Sequence, residues 1–199
     1  MNFRKIKFKL IRIFFLLILT SSFSQQEKVN VKLDNKNGFK DFKFGESAIL
    51  HQSYLSKLKN SSVEYNLTHE GERGYKVYDY NNRNVNELFG FYWTDLRLLF
   101  LKDQLISIKV DWKYDEELLP DILDDILYKL QSVFGPAEIN HNILWDEYLW
   151  SGQKVKMKLL GELNAKALEI GYGKSTTFSL EITAPRLESK ILYNFESEF

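Results

Sequence analysis

Histidines, carboxylates, glycines and aromatic residues are the positions of this 199-residue chain that could carry chemistry. Histidine occurs only at His51, His69 and His141, with no i, i+4 pair among them. A histidine zinc site needs three or four converging ligands, usually including a short-spaced pair. The three therefore read as partly exposed polar residues, and no metal is expected. Carboxylates cluster at Asp115, Glu116, Glu117, Asp121, Asp124 and Asp125. A carboxylate pair held across a cleft could cleave glycosidic bonds. These, however, surround the amino end of an amphipathic helix, where acidic groups stabilise the dipole. The stretch has no glycine, so it lacks the tight turn of a calcium loop.

Gly171-Tyr172-Gly173-Lys174-Ser175 imitates a phosphate loop but lacks the four-residue spacer, and reads as a hairpin turn. No Gly-x-Ser-x-Gly elbow is present, although residue types alone leave a Ser-His-Asp triad open. Cysteine is absent, which excludes disulfides, thiol nucleophiles, thiolate zinc sites and lipid acylation. No catalytic residue and no cofactor is assigned.

Aromatic content is the unusual feature: 15 Phe, 11 Tyr and 4 Trp. Phe91, Tyr92 and Trp93 fall on one expected strand, and Trp145, Tyr148 and Trp150 on another. Period-two alternation puts Tyr148 and Trp150 on one face and Trp145 on the opposite one. Either both faces are covered or some aromatic surface is open to a partner or a sugar ring. Trp145, Tyr148 and Trp150 are thus the candidate ligand- or partner-binding residues, with cross-strand core packing as the competing reading.

The elements that must position these residues follow from hydrophobic periodicity. Val29, Val31 and Leu33 alternate and suggest an edge strand. Ser47 is a candidate N-cap for a helix over 48–58 with an apolar stripe at Leu50, Tyr54, Leu55 and Leu58. Val63–Leu67, Tyr75–Tyr80, Leu88–Trp93, Leu96–Leu101 and Leu105–Trp112 read as strands, the last with Ile106, Ile108, Val110 and Trp112 on one face. The clearest helix runs from Pro120 to Phe134, its stripe including Ile122, Leu123, Ile126, Leu127, Leu130 and Phe134. Lys129 lies near its negative end, and Gly135-Pro136 stops it. Ile143–Trp150, Lys154–Leu160, Lys166–Tyr172 and the Phe178, Leu180, Ile182 alternation are further strands. Lys154, Lys156 and Lys158 blunt the second of these as an edge would need. A final helix covers 186–195. The two helix-then-strands blocks raise the question of duplication, but no residue-level self-similarity supports one. The expected fold is α+β, with about three helices on one face of an antiparallel sheet of several strands.

The amino terminus reads as an address. Residues 1–24 hold five basic and no acidic residues, followed by an apolar Ile13–Leu19 run. Small residues precede a junction after Ser24, as in a cleaved signal peptide. An uncleaved anchor is the alternative, but the run falls well below the ~20 residues needed to span a bilayer. Without a cysteine the chain is not a lipoprotein. The expected organisation is a signal peptide over 1–24, a polar leader over 25–37 and a single α+β domain over 38–199, in a periplasmic or secreted protein. Beyond residue 24 the chain has 22 basic against 27 acidic residues, a net charge of −5. That balance argues against nucleic acid and against a polybasic membrane surface. The membrane is met only through the signal.

Phe42-Lys43-Phe44-Gly45-Glu46-Ser47 before a helix, and Leu130-Gln131-Ser132-Val133-Phe134-Gly135-Pro136 before a Trp-bearing strand, resemble small bacterial envelope proteins. The likeness is to SmpA/OmlA-type (BamE-like) outer-membrane assembly lipoproteins and to the β-lactamase-inhibitor-protein-like fold. It implies a glycine-capped helical segment against an antiparallel sheet, and action by binding other proteins. This chain departs in lacking the lipobox cysteine and in carrying Leu50 where an acidic residue is usual. No functional residue carries over.

The leading expectation is an exported, non-enzymatic binding protein of the bacterial envelope with an envelope or extracellular protein as partner. The alternatives are a small secreted hydrolase, glycan-directed in one form, and a periplasmic immunity or inhibitor protein. Amino-terminal sequencing of the protein recovered from a secreting host is expected to begin at Gln25. Recovery of an intact Met1 chain in the membrane fraction would replace the signal peptide with an anchor.

Overall fold

Alternating apolar and polar residues build strands with one buried and one polar face, and such strands pair antiparallel. The structure, a computed structural model, describes residues 29–57, 74–82, 86–114, 118–142, 145–163 and 177–196. Its body is one eight-stranded antiparallel sheet. Four strands come from the first block: β3 (Leu55–Lys57), β4 (Tyr75–Tyr80), β7 (Asp95–Leu101) and β8 (Gln104–Lys113). Four come from the second: β9 (Glu138–His141), β10 (Trp145–Ser151), β11 (Lys156–Leu163) and β12 (Thr177–Thr183). The order β3-β4-β7-β8-β12-β11-β10-β9 reads first-to-fourth and then fourth-to-first. Two four-stranded meanders thus meet through their last strands, a repeat of topology that leaves no trace in residue identity. Two further hairpins are short: β1 (Gly38–Phe39) with β2 (Phe42–Lys43), and β5 (Glu87–Leu88) with β6 (Phe91–Tyr92).

Four helical segments occur among the described residues, rather than about three: α1 (Val31–Lys36), a 3-10 segment (Ala48–Tyr54), α2 (Leu119–Phe134) and α3 (Pro185–Glu196). They lie on both faces of the sheet, not on one. Leu123, Ile126 and Leu130 of α2 pack with Leu98, Ile108, Val110, Met157, Leu159 and Leu180. Ile191 of α3 packs in a separate cluster with Val77, Leu99, Leu101 and Ile106. A bulge adds Ile106 to the second cluster. Leu99 pairs with Ser107 but Phe100 with Leu105, so β8 carries an extra residue. The extra residue reverses the alternation, and Ile106 leaves the face of Ile108, Val110 and Trp112 to sit beneath α3.

Several local expectations change. Val31–Lys36 is helical, and Leu33, 1% exposed, belongs to the main core. Ser47 does cap, its Oγ accepting from Ile49 N, but the turn tightens to 3-10 and passes into β3 at Leu55. Leu50 is left 67% exposed. The 88–93 strand is instead the β5–β6 hairpin, turning at Phe89 and Gly90, both at positive φ. Lys102 and Asp103, with φ of 49° and 64°, make the β7–β8 turn, in which two successive positive φ values match the twist of the strands. Lys129 reaches the β5–β6 hairpin, its Nζ donating to Phe89 O at 3.1 Å and lying 4.8 Å from the Phe91 ring centroid. β9, absent from the sequence reading because its four residues are all exposed, edges the sheet. The lysine-bearing strand β11 is interior, and Lys158 pairs with Glu181 of β12 at 3.2 Å. The expected strands at 63–67 and 166–172 lie outside the described residues. No helix among the described residues is long and apolar enough to cross a membrane.

Residues 30–34 fasten the second block to α2. Asn30 N donates to Ser151 O at 2.9 Å, and Asn30 Nδ2 to Phe134 O at 2.6 Å. The Asp34 carboxylate accepts backbone N–H groups from Gln153, Lys154 and Val155 at 2.6, 2.7 and 3.0 Å. A Cβ on Gly152 would collide with that carboxylate, so the turn must carry glycine there. Burial works against ionisation of Asp34, yet the three backbone donors and Lys154 outweigh it and hold its pKa below the ordinary 3.8. A depressed carboxylate pKa means stability that is fully present above 3.8 and lost as pH falls through the lower folded value. Asp34→Asn is expected to cost about 1–3 kcal/mol at pH 7, because an amide cannot accept all three donors. In urea unfolding the gap between the two proteins should close as the pH is lowered below 3.8. A gap independent of pH would remove the carboxylate from that role.

Candidate functional site

Where β4 ends and β7 begins, the sheet opens into a polar cleft of about 500 Å³. It is lined by Asp79, Tyr80, Asn81, Asn82, Asn86, Trp93, Thr94, Asp95 and Leu96. The β-register explains the carboxylates. Asp79 lies opposite Arg97, and Asp95 lies opposite Asp111. Asp95 and Arg97 are two apart on β7, so Asp79, Asp95, Arg97 and Asp111 all point to one face. Asp79 and Asp95 are diagonal neighbours, about 7–8 Å apart between Cα atoms.

Like charges directly opposite each other destabilise a sheet. One arginine offsets part of that cost here. Arg97 Nη2 lies 3.0 Å from Asp111 Oδ2, and its Nε lies 3.9 Å from Asp79 Oδ1. Lys109 Nζ adds a contact of 3.8 Å to Asp111 Oδ1. Burial pushes the Asp79 carboxyl above its ordinary value, and the charge of Asp95 adds to the rise. Burial likewise raises Asp111; Lys109 and Arg97 oppose this without cancelling it, while Asp95 and Glu181 reinforce it. A strained set of carboxylates at a cleft is the kind of local inconsistency that marks functional sites.

The amides and rings are held by the surrounding chain. Asn81 N donates to Tyr54 O at 2.9 Å and its Nδ2 to Ser56 Oγ at 3.1 Å, tying the end of β4 to β3. Asn82 Nδ2 donates to Tyr80 Oη at 3.3 Å. Trp93 N donates to Asn86 O at 2.9 Å, closing the β5–β6 hairpin. That hairpin is pinned by Trp112 Nε1 and Tyr114 Oη, which donate to Phe91 O and Tyr92 O at 3.4 and 3.0 Å. The Trp93 ring lies 5.9 Å from Phe39, and the Lys40 ammonium approaches within 5.2 Å of its centroid.

The residues singled out from the sequence lie elsewhere. Trp150 is 2% exposed, and its Nε1 donates to Gly135 O at 2.8 Å, so it anchors the end of α2 from within the core. Tyr148 is half-buried against the same core. Trp145 is half-buried, its Nε1 donating to Glu147 Oε1 at 3.4 Å. None of the three lines the cleft. Asp121, Asp124 and Asp125 sit exposed along α2, while Asp115, Glu116, Glu117 and Gly171–Ser175 lie outside the described residues. His51 packs against Phe42 with its Nε2 3.4 Å from Glu46 Oε2, and His141 Nδ1 lies 2.9 Å from Asp146 Oδ1. His69 is outside the described residues. Among those residues, no three His, Cys, Asp or Glu side chains converge as metal ligands.

Sequence reasoning missed Asp79, Asp95 and Asp111 because they are far apart in the chain and none belongs to an acidic run. Their signal was available only as charges at register-matched positions, which requires knowing which strands pair. Compared with known proteins, the chain matches no family model, no curated protein and no solved structure.

Replacing Asp95 by Asn removes the charge that opposes Asp111 and raises Asp79. Asp95→Asn is expected to be more stable than the wild type at pH 7, by less than about 1 kcal/mol, and the gap should narrow on going to pH 3, as Asp79 and Asp111, both raised, lose their charge. Urea titrations at the two pH values check this. A destabilised Asp95→Asn at neutral pH would mean that the carboxylate serves the fold.

Proposed function

We propose that the chain is an exported, non-catalytic binding protein that takes a small polyhydroxylated ligand, a glycan or glycan fragment, in the Asp79–Asp95 cleft. The composition of that cleft carries the reading. Vicinal hydroxyls pair with carboxylate and amide oxygens, and a sugar ring lies against an indole or phenol face; Asp79, Asp95, Asn81, Asn82 and Asn86 supply the first, Trp93 and Tyr80 the second. The basic, short apolar amino terminus supports export. A small ligand is favoured over a protein docked on the aromatic strand, since Trp150 lies in the core. Glycan-array screening at pH 7, followed by calorimetry, is expected to find a ligand. Asp95→Asn and Asn81→Ala should each weaken it by about tenfold, the loss of roughly one good hydrogen bond. Binding that both substitutions leave unchanged would move the site elsewhere.

One observation favours a second reading, hydrolysis of the same class of ligand. Asp79 and Asp95 are diagonal neighbours on one face, and burial together with the charge of Asp95 raises the Asp79 carboxyl, as a general acid needs. Against it, the Asp79 carboxylate is engaged by Arg97 in the sheet. Release of new reducing ends by the wild type, abolished in Asp79→Asn, would favour the hydrolase.

A further inference from the structure

The charge of the cleft selects among glycans, and this inference rests on the glycan-binding reading above. Among the described residues lining the cleft, two are acidic and none is basic. Two of the described cations nearby serve the sheet: Arg97 and Lys109 face Asp111 at 3.0 and 3.8 Å, and Arg97 also faces Asp79. Lys40 approaches the rim at the Trp93 ring. Asp111 lies directly opposite Asp95 on the same face, so a third carboxylate stands behind the two that line the cleft.

We infer that the cleft accepts neutral and amino sugars and rejects acidic ones, such as uronates and sulfated sugars. A ligand carboxylate placed among these hydroxyl-binding groups would meet Asp79 and Asp95, with no cation among the described lining residues to pair with it. Like-charge juxtaposition is an effective way to reject a competing ligand, because it acts on the wrong partner without weakening the right one. A ligand hydroxyl or ammonium, in contrast, donates to both carboxylates.

The test uses oligosaccharides of matched length in three charge classes: neutral glucose or galactose oligomers, glucosamine oligomers and galacturonate oligomers. Calorimetry on the whole protein is run at pH 7 with the wild type, Asp95→Asn and the Asp79→Asn, Asp95→Asn double variant. Neutral or amino oligomers should bind the wild type at least tenfold tighter than galacturonate. The carboxamide substitutions should narrow that ratio, with near-equality in the double variant, and a folded circular dichroism spectrum guards against unfolding. Galacturonate binding to the wild type as tightly as neutral oligomers would overturn the charge selection while leaving glycan binding intact. So would a ratio unchanged in the double variant. Failure of all three classes to bind would overturn both readings.

Discussion

The ladder between β8 and β12 is the interaction on which the rest of the molecule depends. Seven register pairs run from Thr177 opposite Lys113 to Thr183 opposite Ser107. They join two four-stranded meanders that are otherwise linked chiefly by α2. The buried pairs on this seam, Phe178 with Trp112, Leu180 with Val110 and Ile182 with Ile108, form the centre of the main core. The Trp112 and Phe178 rings stack at 4.9 Å. Apolar area on one meander alone would be left half-covered; fusing the sheets gives α2 a floor that extends across both blocks.

The seam also explains why the polar face is crowded with charge. The opposite face, across β7, β8, β12 and β11, carries Arg97, Lys109, Asp111, Glu181 and Lys158 in neighbouring positions. α3 covers only the part of that face near Ile106, which the β8 bulge supplies with an apolar patch. The remaining face solves its electrostatics by pairing across strands, and it does so incompletely near Asp95. A sheet designed for stability alone would not set Asp95 against Asp111. A like-charge pair at one register position, beside a cleft of amides and rings, is the kind of compromise between fold and function that the proposed ligand site would explain.

Much of the fold was legible in the sequence because burial there follows a simple period. The Ile122-to-Phe134 stripe, the Gly135 stop and the alternation in 75–80, 96–101, 105–112 and 178–182 each correspond to an observed element. Elements governed by single tertiary contacts were not legible. Val31–Lys36 looks like alternation, but the Asn30 cap and the Asp34 clamp make it a helix. The 48–54 segment has a good N-cap and too little buried surface to sustain α-helical turns. The bulge at Ile106 has no marker in an otherwise regular run. The candidate site was less legible still. Trp145, Tyr148 and Trp150 were conspicuous as a cluster in sequence, whereas Asp79, Asp95 and Asp111 become neighbours only through pairing register.

The reach of the Asp34 clamp sets the order in which the molecule can form. Asp34 contacts amides 119 to 121 residues further along the chain. The β8–β12 seam joins residues some seventy positions apart at its central pairs. Loops of this length must close before their contacts return any free energy, so folding is slow and governed by topology. A chain emerging from its amino end cannot complete its first meander's core in isolation, because Leu33 and Phe42 share that core with Met157, Leu159 and Leu180. The amino-terminal helix is therefore a latch that closes only on a chain already extended as far as Gln153–Val155.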